Sequence, residues 1–155
     1  MQIYMIAVGQ RMPSWVQQGV DEYLKRMPPH CRVQVREVAS VHRGKNADIG
    51  RILKTEGEAL FKAVPKDCLV IALDRAGKQF DTPTLAGYLS EWMADGRDVA
   101  LLIGGPEGLS KEVLQQCDSI WSLSSFTYAH PLVRIVLAEQ LYRAWAITEN
   151  HPYHK

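Results

Sequence analysis

Three glycines and a proline follow a short apolar run, and this loop is the most distinctive chemical feature of the sequence. Residues 98–103 are long enough for a buried strand, and they lead directly into Gly104-Gly105-Pro106-Glu107-Gly108. Glycine allows backbone angles and close approaches that a Cβ atom would block. Open α/β sheets bind ligands in such loops, at the carboxyl ends of buried strands. The loop therefore predicts either a ligand held by backbone contacts or a tight strand-to-helix turn without a ligand.

The order of residues in this loop excludes the common phosphate-binding motifs. It does not match G-x-G-x-x-G, and no Lys-Ser/Thr pair follows the glycines as in a P-loop. Pro106 lacks an amide that an anion-binding nest would need. After the first predicted strand Gly9 stands alone, which argues against a Rossmann dinucleotide-binding module. The loop is suited to backbone contact with a ligand but not to gripping a phosphate.

Two other loops and the end of the chain carry side chains that could take part in chemistry. One loop starts at Leu73-Asp74-Arg75, and another covers residues 122–128, where serines are followed by Phe-Thr-Tyr. The last predicted helix starts at His130-Pro131, and the chain closes with Asn150-His-Pro-Tyr-His-Lys155. Three loops thus follow three apolar strands in the second half of the chain.

The composition predicts a small globular protein with a proper core. Residues 1–155 fit a single domain, and 46% of them are hydrophobic. The net charge of +1 gives no global nucleic-acid signature. Any RNA contact must therefore come from local basic patches or from the pairing of two subunits.

The cysteines and the apolar segments indicate a reduced, cytosolic protein. Cys31, Cys68 and Cys117 are far apart and form no Cys-x-x-Cys pair, so no zinc or other metal site is predicted. The first eight residues are apolar but lack a basic leader and a cleavage site, which favours a strand over a signal peptide. No apolar run is long enough to span a membrane.

Hydrophobic periodicity predicts alternating strands and helices along the whole chain. Strands are expected at 2–8, 32–39, 68–73, 99–103 and 120–123, and helices at 13–27, 48–64, 81–94, 110–117 and 130–148. Loops are expected at 40–46 and, around Gly77, at 74–80. Because several strands are apolar on both faces, we expect an α/β fold with a mostly parallel sheet and helices on both sides.

The order of these motifs resembles the SPOUT methyltransferase superfamily and, within it, the small ribosomal RNA large subunit methyltransferase H family. The resemblance covers the whole chain. Its segments are Arg43-Gly-Lys-Asn-Ala-Asp48, Leu101-Leu-Ile-Gly-Gly-Pro-Glu-Gly-Leu109, His130-Pro-Leu-Val-Arg134, Leu141-Tyr-Arg-Ala-Trp145 and Asn150-His-Pro-Tyr-His154. Other SPOUT members share the glycine segment loosely, whereas the closing segments are together much more specific.

This resemblance implies an activity and an architecture that periodicity alone would not. It implies methylation of N3 of a pseudouridine in the 23S ribosomal RNA of a ribosome, with S-adenosylmethionine as the methyl donor. It also implies a homodimer and a deep trefoil knot in the C-terminal half. The implied cofactor contacts are Leu73, Gly104, Gly105, Gly108, Leu123, Ser124, Ser125, Phe126, Thr127 and Tyr128.

The sequence also offers candidates for proton transfer and RNA contact. Candidate proton acceptors and stacking groups are His130, Glu139, Tyr153 and His154. No single base follows from the sequence, because local positive charge could lower the pKa of the target imide enough for water to suffice. Candidate RNA-binding residues are Arg43, Lys45, Arg134, Arg143 and Lys155. We further expect Gly105→Val to place its side chain against the cofactor.

Several of these residues also fit a purely structural interpretation. His130 could cap the last helix, and Glu139 could pair with Arg143 one turn later. The basic loop could be merely solvated, and the tail could fray. The last helix is apolar nearly all round, so it could be covered within the monomer or by a second subunit. The family usually has Arg in the last positions, where this chain has only Lys155, which cannot form a bidentate fork. An RNA-binding protein without enzymatic activity is a further alternative.

Overall fold

Strands and helices alternate along the chain, as the apolar runs predict. The computed structural model describes all 155 residues. Its strands are β1 (Gln2–Val8), β2 (Arg32–Val38), β3 (Leu69–Lys78), β4 (Val99–Ile103) and β5 (Ser119–Trp121). Its helices are α1 (Ser14–Leu24), α2 (Ile49–Ala63), α3 (Thr82–Asp95), α4 (Lys111–Gln116) and α5 (His130–Thr148), followed by a 3-10 turn, Pro152–His154.

All five strands are parallel, and their order in the sheet is β2-β1-β4-β3-β5. In the central strand β4 every residue is buried. Leu101 of this strand lies between Met5 of β1 and Ile71 of β3. A parallel strand covered on both faces is an unbroken apolar run, which explains why the pattern predicted it. The expected single α/β domain is confirmed, and its sheet is parallel throughout.

Two apolar layers hold helices against opposite faces of the sheet. Successive side chains of a strand point to opposite faces, and Met5 and Ile6 of β1 illustrate this. Met5 lies in the cluster that contains Leu89 of α3 and Leu141 of α5. Ile6 lies in the cluster that contains Leu60 of α2. Because helices cover both faces of the sheet, the loops that follow the strands lie together at its carboxyl edge.

Three helices begin where a polar side chain caps the first turn. Asp48, Asp81 and Ser110 accept hydrogen bonds from backbone amides at 3.2, 2.9 and 3.2 Å. Caps of this kind each stabilise a helix by about 1 kcal/mol. The predicted starts at 48, 81 and 110 were these capping residues, one position before the first helical residue.

Residues 74–78 are part of a strand, so most of the predicted loop at 74–80 is absent. Strand β3 continues to Lys78, and both Leu73 and Lys78 lie opposite Trp121 of β5, so the residues between them form a bulge. A Cβ atom on Gly77 would come within 2.5 Å of the backbone of Trp121. This glycine therefore permits a close approach of two strands and does not form a turn.

The last helix, α5, packs against both α1 and α3. Leu137 and Leu141 are fully buried, whereas Leu132 of α5 and Trp15 of α1 remain exposed. The monomer thus covers the apolar surface of α5 only in part. None of the helices combines the length and hydrophobicity that crossing a membrane requires. The trefoil knot that the resemblance implies stays a prediction.

Candidate cofactor site

A cavity of about 680 Å³ opens at the carboxyl ends of β3, β4 and β5. Its walls come from the bulge of β3, from the loops after β4 and β5, and from the first turn of α5. Of the ten residues predicted to contact a cofactor, only Ser125 lies outside the lining. The predicted residues that line the cavity are Leu73, Gly104, Gly105, Gly108, Leu123, Ser124, Phe126, Thr127 and Tyr128. This edge is where parallel α/β sheets bind ligands.

The cavity also contains residues that the sequence did not identify as site residues. Asp74 and Arg75 come from the bulge of β3, Leu114 from α4 and Val133 from α5. Adjacency to Leu73 could have identified the two charged residues. Leu114 and Val133 carry no such signal, because an apolar residue on a helix is interpreted as core.

The Gly104–Gly108 segment is a tight turn, and its glycines meet different steric requirements. The amide of Gly108 donates to the carbonyl oxygen of Gly105 at 2.9 Å, with Pro106 at the second position of the turn. Gly108 has a φ of +75°, which favours glycine. A Cβ atom on Gly104 would lie 2.6 Å from the carbonyl oxygen of Gly108. The glycines are thus needed by the turn itself, whose backbone then lines the cavity.

The Cβ direction of Gly105 points away from the cavity. An added Cβ would lie 3.2 Å from Val8, 3.3 Å from Nη2 of Arg43 and 3.4 Å from Oε1 of Glu56. The expectation that Gly105→Val would place its side chain against the cofactor is therefore wrong. The branched side chain would press on an ion pair behind the turn.

His130 is the first residue of α5 and lines the cavity. The N-cap of the helix is Ala129, so the interpretation of His130 as a cap is wrong. Nε2 of His130 is buried and has no hydrogen-bond partner. Burial, and then the charge of Arg134, lower the pKa of His130 below its ordinary value. The imidazole is therefore neutral at neutral pH.

The structure gives Arg43 an internal role instead of the predicted RNA contact. Its guanidinium forms a bidentate pair with Glu56, with both N–O distances at 3.0 Å. Its Nε donates to Glu107 at 2.6 Å. The Glu56 side chain is only 2% exposed. Two carboxylates surround one guanidinium, so this position presents no net positive charge to a phosphate.

Arg134 is buried among internal partners, which argues against its predicted contact with RNA. Its guanidinium pairs with Glu37 and donates to the carbonyl oxygen of Gly9. Its side chain is 3% exposed. A charge this deeply buried persists only when it is paired, and here the partners come from β2 and from the residue that follows β1.

The tail docks on α5 and does not fray. Tyr153 donates from its hydroxyl to Glu139 at 3.0 Å, and its ring packs on Tyr142 at a centroid distance of 4.7 Å. Glu139 also accepts from Nε of Arg143 at 2.8 Å, so the pair one turn apart is present. Burial, and then the hydrogen bond to Glu139, raise the pKa of Tyr153 to about 12. In this arrangement Tyr153 is a neutral donor and not a proton acceptor.

The remaining predicted residues lie apart from the cavity of their own chain. None of the tail residues lines it. His154 has a buried Nδ1 without a partner, and Lys45 and Lys155 are exposed. Arg143 is partly exposed and lies over the Tyr153 ring at 4.9 Å. No cluster of three or more His, Cys, Asp or Glu side chains could hold a metal ion.

Comparisons with known proteins agree with this fold. The family model described as "Predicted SPOUT methyltransferase" matches residues 1–154. The protein named "Ribosomal RNA large subunit methyltransferase H" from Thioalkalivibrio sulfidiphilus (strain HL-EbGR7) is 52% identical over 155 residues, covering 100% of this chain and 99% of that protein.

Solved structures show the same fold at low sequence identity. A probable methylase family protein from Haemophilus influenzae Rd KW20 matches with a TM-score of 0.57 and 16% identity, over 99% of this chain and 70% of that one. A second methylase family structure, from Neisseria gonorrhoeae, matches with a TM-score of 0.51 and 14% identity, over 90% and 81% of the two chains.

A parallel α/β sheet with a backbone-lined cavity at its carboxyl edge is the arrangement in which open α/β proteins bind ligands. The full-length matches make the class specific. The chain belongs to the SPOUT methyltransferase family.

Proposed function

We propose that this protein transfers a methyl group from S-adenosylmethionine to N3 of a pseudouridine in the 23S ribosomal RNA. One observation carries the proposal. The backbone-lined cavity occurs in a chain that is 52% identical, over its full length, to a protein named Ribosomal RNA large subunit methyltransferase H.

The cavity residues fit this donor chemically. The donor has no phosphate, and the turn has no phosphate-binding motif. Its adenine would be held by backbone N–H and C=O groups of Gly104–Gly108 and residues 123–128, between apolar walls that include Leu73 and Val133. A volume of about 680 Å³ falls within the range of small-molecule sites. When bound, the donor supplies a methyl group that is already electrophilic because it is attached to a sulfonium.

The residues of the chain then have two tasks, which are alignment and removal of one proton. The imide nitrogen must lose its proton, and the nitrogen–carbon bond forms as the sulfur–carbon bond breaks, leaving a neutral thioether. Alignment of the reacting atoms can supply several kcal/mol of the barrier. His130 is the cavity residue with a neutral imidazole, and it is the proton acceptor we favour. The exposed Arg75 also lines the cavity, from the bulge of β3, where its charge would favour the deprotonated imide.

A homodimer would complete this site. The tail with Tyr153 and His154 lies outside the cavity of its own chain, so a second subunit would have to bring it there. Trp15 and Leu132 are 52% and 41% exposed on two helices that pack together. A second subunit packed against these helices would cover both side chains. Pairing would also double the local basic patches of a chain whose net charge is only +1.

We infer that the RNA is recognised as part of an assembled ribosome in the cytoplasm. The exposed basic side chains of residues 44–54, which follow Arg43, are few, namely Lys45, Arg51 and Lys54. A small domain with few exposed basic side chains in this segment must rely on a shape that a large target presents. Free hairpin RNA is therefore expected to be a much poorer substrate than whole ribosomes.

The test is methyl transfer from labelled donor to ribosomes that lack the modification, followed by mapping of the methyl group. Label on N3 of one 23S pseudouridine supports the proposal. Label on a protein or a transfer RNA would keep the fold and overturn the substrate. RNA binding without any transfer would favour the non-enzymatic alternative. Calorimetry with S-adenosylmethionine, NADH and ATP addresses the Rossmann alternative, and preference for either nucleotide would overturn the donor.

A further inference from the structure

Arg43, which lies outside the cavity, contacts the turn Gly104–Gly108 through an ion pair with Glu107. Glu107 is the only charged residue of Gly104–Gly108, and Nε of Arg43 donates to its Oε2 at 2.6 Å. The two residues are 64 positions apart in the chain. The contact therefore joins the loop after β2 to the turn after β4.

Arg43 is itself fixed before it reaches the turn. Besides the bidentate pair with Glu56, its Nη1 donates to the hydroxyl of Ser40 at 2.9 Å and to the carbonyl oxygen of Val41 at 2.8 Å. Glu56 in turn accepts from the amide of Val41 at 3.0 Å. The planar guanidinium bonds Glu56 through its two terminal nitrogens and Glu107 through Nε, a fixed fork that a lysine ammonium does not have.

The same ion pair forms the surface behind Gly105. The nearest polar atoms to a Cβ built on this glycine belong to Arg43 and Glu56, at 3.3 and 3.4 Å. The turn is thus supported at its back by the ion pair and at its corner by Glu107. Arg43 does not line the cavity, so any effect on a ligand must act through the turn.

We propose that Arg43 is a positioning residue for methyl-donor binding, which it serves by holding Glu107 and the back of Gly105 in the ligand-accepting conformation. This inference rests on the proposed function, because it takes the cavity ligand to be the methyl donor. It replaces the RNA contact that the positive charge of Arg43 predicts. The buried Glu56 holds Arg43 in the position from which it orients the turn.

A competing explanation is that Glu107 acts on the donor directly, because it lines the cavity and the sulfonium is positive. A double-mutant cycle separates the two. Arg43→Lys keeps a cation beside Glu56 but loses the fork, and Glu107→Gln leaves the Arg43–Glu56 pair intact. If Glu107 acts through Arg43, adding Glu107→Gln to the Arg43→Lys variant should not weaken donor binding any further.

The experiment measures the dissociation constant of S-adenosylmethionine by calorimetry for the wild type, Arg43→Lys, Glu107→Gln and the double variant. Each single variant is expected to weaken binding about tenfold, and the double variant no more than Arg43→Lys. The KM for the donor should rise with kcat nearly unchanged. Lys62→Gln at the exposed end of α2 and Glu112→Gln at the exposed start of α4 serve as controls and should bind the donor as the wild type does.

Additive losses in the cycle, or unchanged binding in both single variants, would overturn the inference. Failure of the wild type to bind the donor would instead overturn the proposed function. Should Arg43→Lys fail to fold, Glu107→Gln still decides through amide hydrogen exchange. The amide of Gly108, which donates within the turn, should exchange faster in this variant while the β4 amides keep their protection. Unchanged exchange at Gly108 would also overturn the inference.

Discussion

Nη2 of Arg134 donates a hydrogen bond to the carbonyl oxygen of Gly9 at 2.8 Å and so ties the first turn of α5 to the end of β1. The same guanidinium pairs with Glu37 of β2. A Cβ atom on Gly9, which has a φ of +113°, would lie 3.4 Å from this nitrogen and 3.7 Å from Nε2 of His130. One buried cation thus fixes the wall of the cavity on which His130 stands.

Loss of this cation should affect stability far more than it affects RNA affinity. Arg134→Met is expected to lower the free energy of unfolding by about 2–3 kcal/mol, because it leaves a buried carbonyl and a carboxylate without their donor. The loss of unfolding free energy is limited because the Glu37 carboxylate can still be hydrated by water. Urea unfolding followed by tryptophan fluorescence measures it. The exposed Arg51→Met is the control and should change stability by less than about 0.5 kcal/mol. Full stability with reduced ribosome binding would restore the RNA role of Arg134.

The lowered pKa of His130 predicts a pH dependence of stability with a definite sign. As pH falls through 6.5, the ordinary value for histidine, the unfolded chain takes up this proton before the folded chain does. The neutral imidazole therefore contributes stability that is present above pH 6.5 and is lost as pH falls through the folded pKa. His130→Gln should flatten the fall of Tm below pH 6.5, whereas the exposed His30→Gln should not. Parallel Tm curves for the wild type and His130→Gln would contradict this.

Features set by local patterning were predictable from the sequence. The apolar run before Gly104 identified β4, and Asp48 and Asp81 marked the starts of two helices. Since the carboxyl ends of parallel strands share one edge, the order of the loops was also enough to bring the predicted cofactor residues together. Only Ser125 turned out to lie outside the cavity.

Features that depend on distant partners were not predictable. Arg43 and Arg134 have the charge of RNA-binding residues, but their carboxylate partners lie between 13 and 97 positions away in the chain. An ion pair between distant segments leaves no periodic trace in a sequence. Gly77 was misinterpreted in the same way, because the close approach of β5 decides its role.

The close approach of Gly104 and Gly108 predicts opposite effects for two Gly→Ala substitutions. In Gly104→Ala the new Cβ would lie 2.6 Å from the Gly108 carbonyl oxygen, so we expect a loss of about 1–3 kcal/mol in unfolding free energy and weaker donor binding. Gly87→Ala is the control, because it lies within α3 with no atom within 4 Å. It should stabilise the protein by about 0.5–1 kcal/mol and leave donor binding unchanged. Equal effects of the two substitutions in thermal unfolding would refute the steric role of Gly104.

Because Tyr153 is partly buried and its hydroxyl donates to Glu139, we expect it to ionise at a higher pH than an ordinary tyrosine. Its pKa of about 12, compared with 10.0 for an unperturbed tyrosine, means that the wild type and Tyr153→Phe should show the same phenolate absorbance up to pH 10. The substitution should reduce the free energy of unfolding by about 0.5–1.5 kcal/mol. Tyr4→Phe, whose ring lies under Arg36 and away from the tail, is the control. Phenolate absorbance that disappears in Tyr153→Phe at or below pH 10 would disprove the docking of the hydroxyl.

The ring of Tyr153, and not its hydroxyl, should matter for methyl transfer. A phenol held neutral by Glu139 cannot accept the imide proton at neutral pH, but its aromatic face can stack on a base. Tyr153→Phe is therefore expected to keep most of the kcat on ribosomes. Tyr153→Ala should lose about tenfold or more, in line with stacking worth about 1–3 kcal/mol per base. Donor affinity should be unchanged in both variants, because the tail does not line the cavity of its own chain. Equal loss of kcat in the two variants would show that the hydroxyl takes part in the reaction.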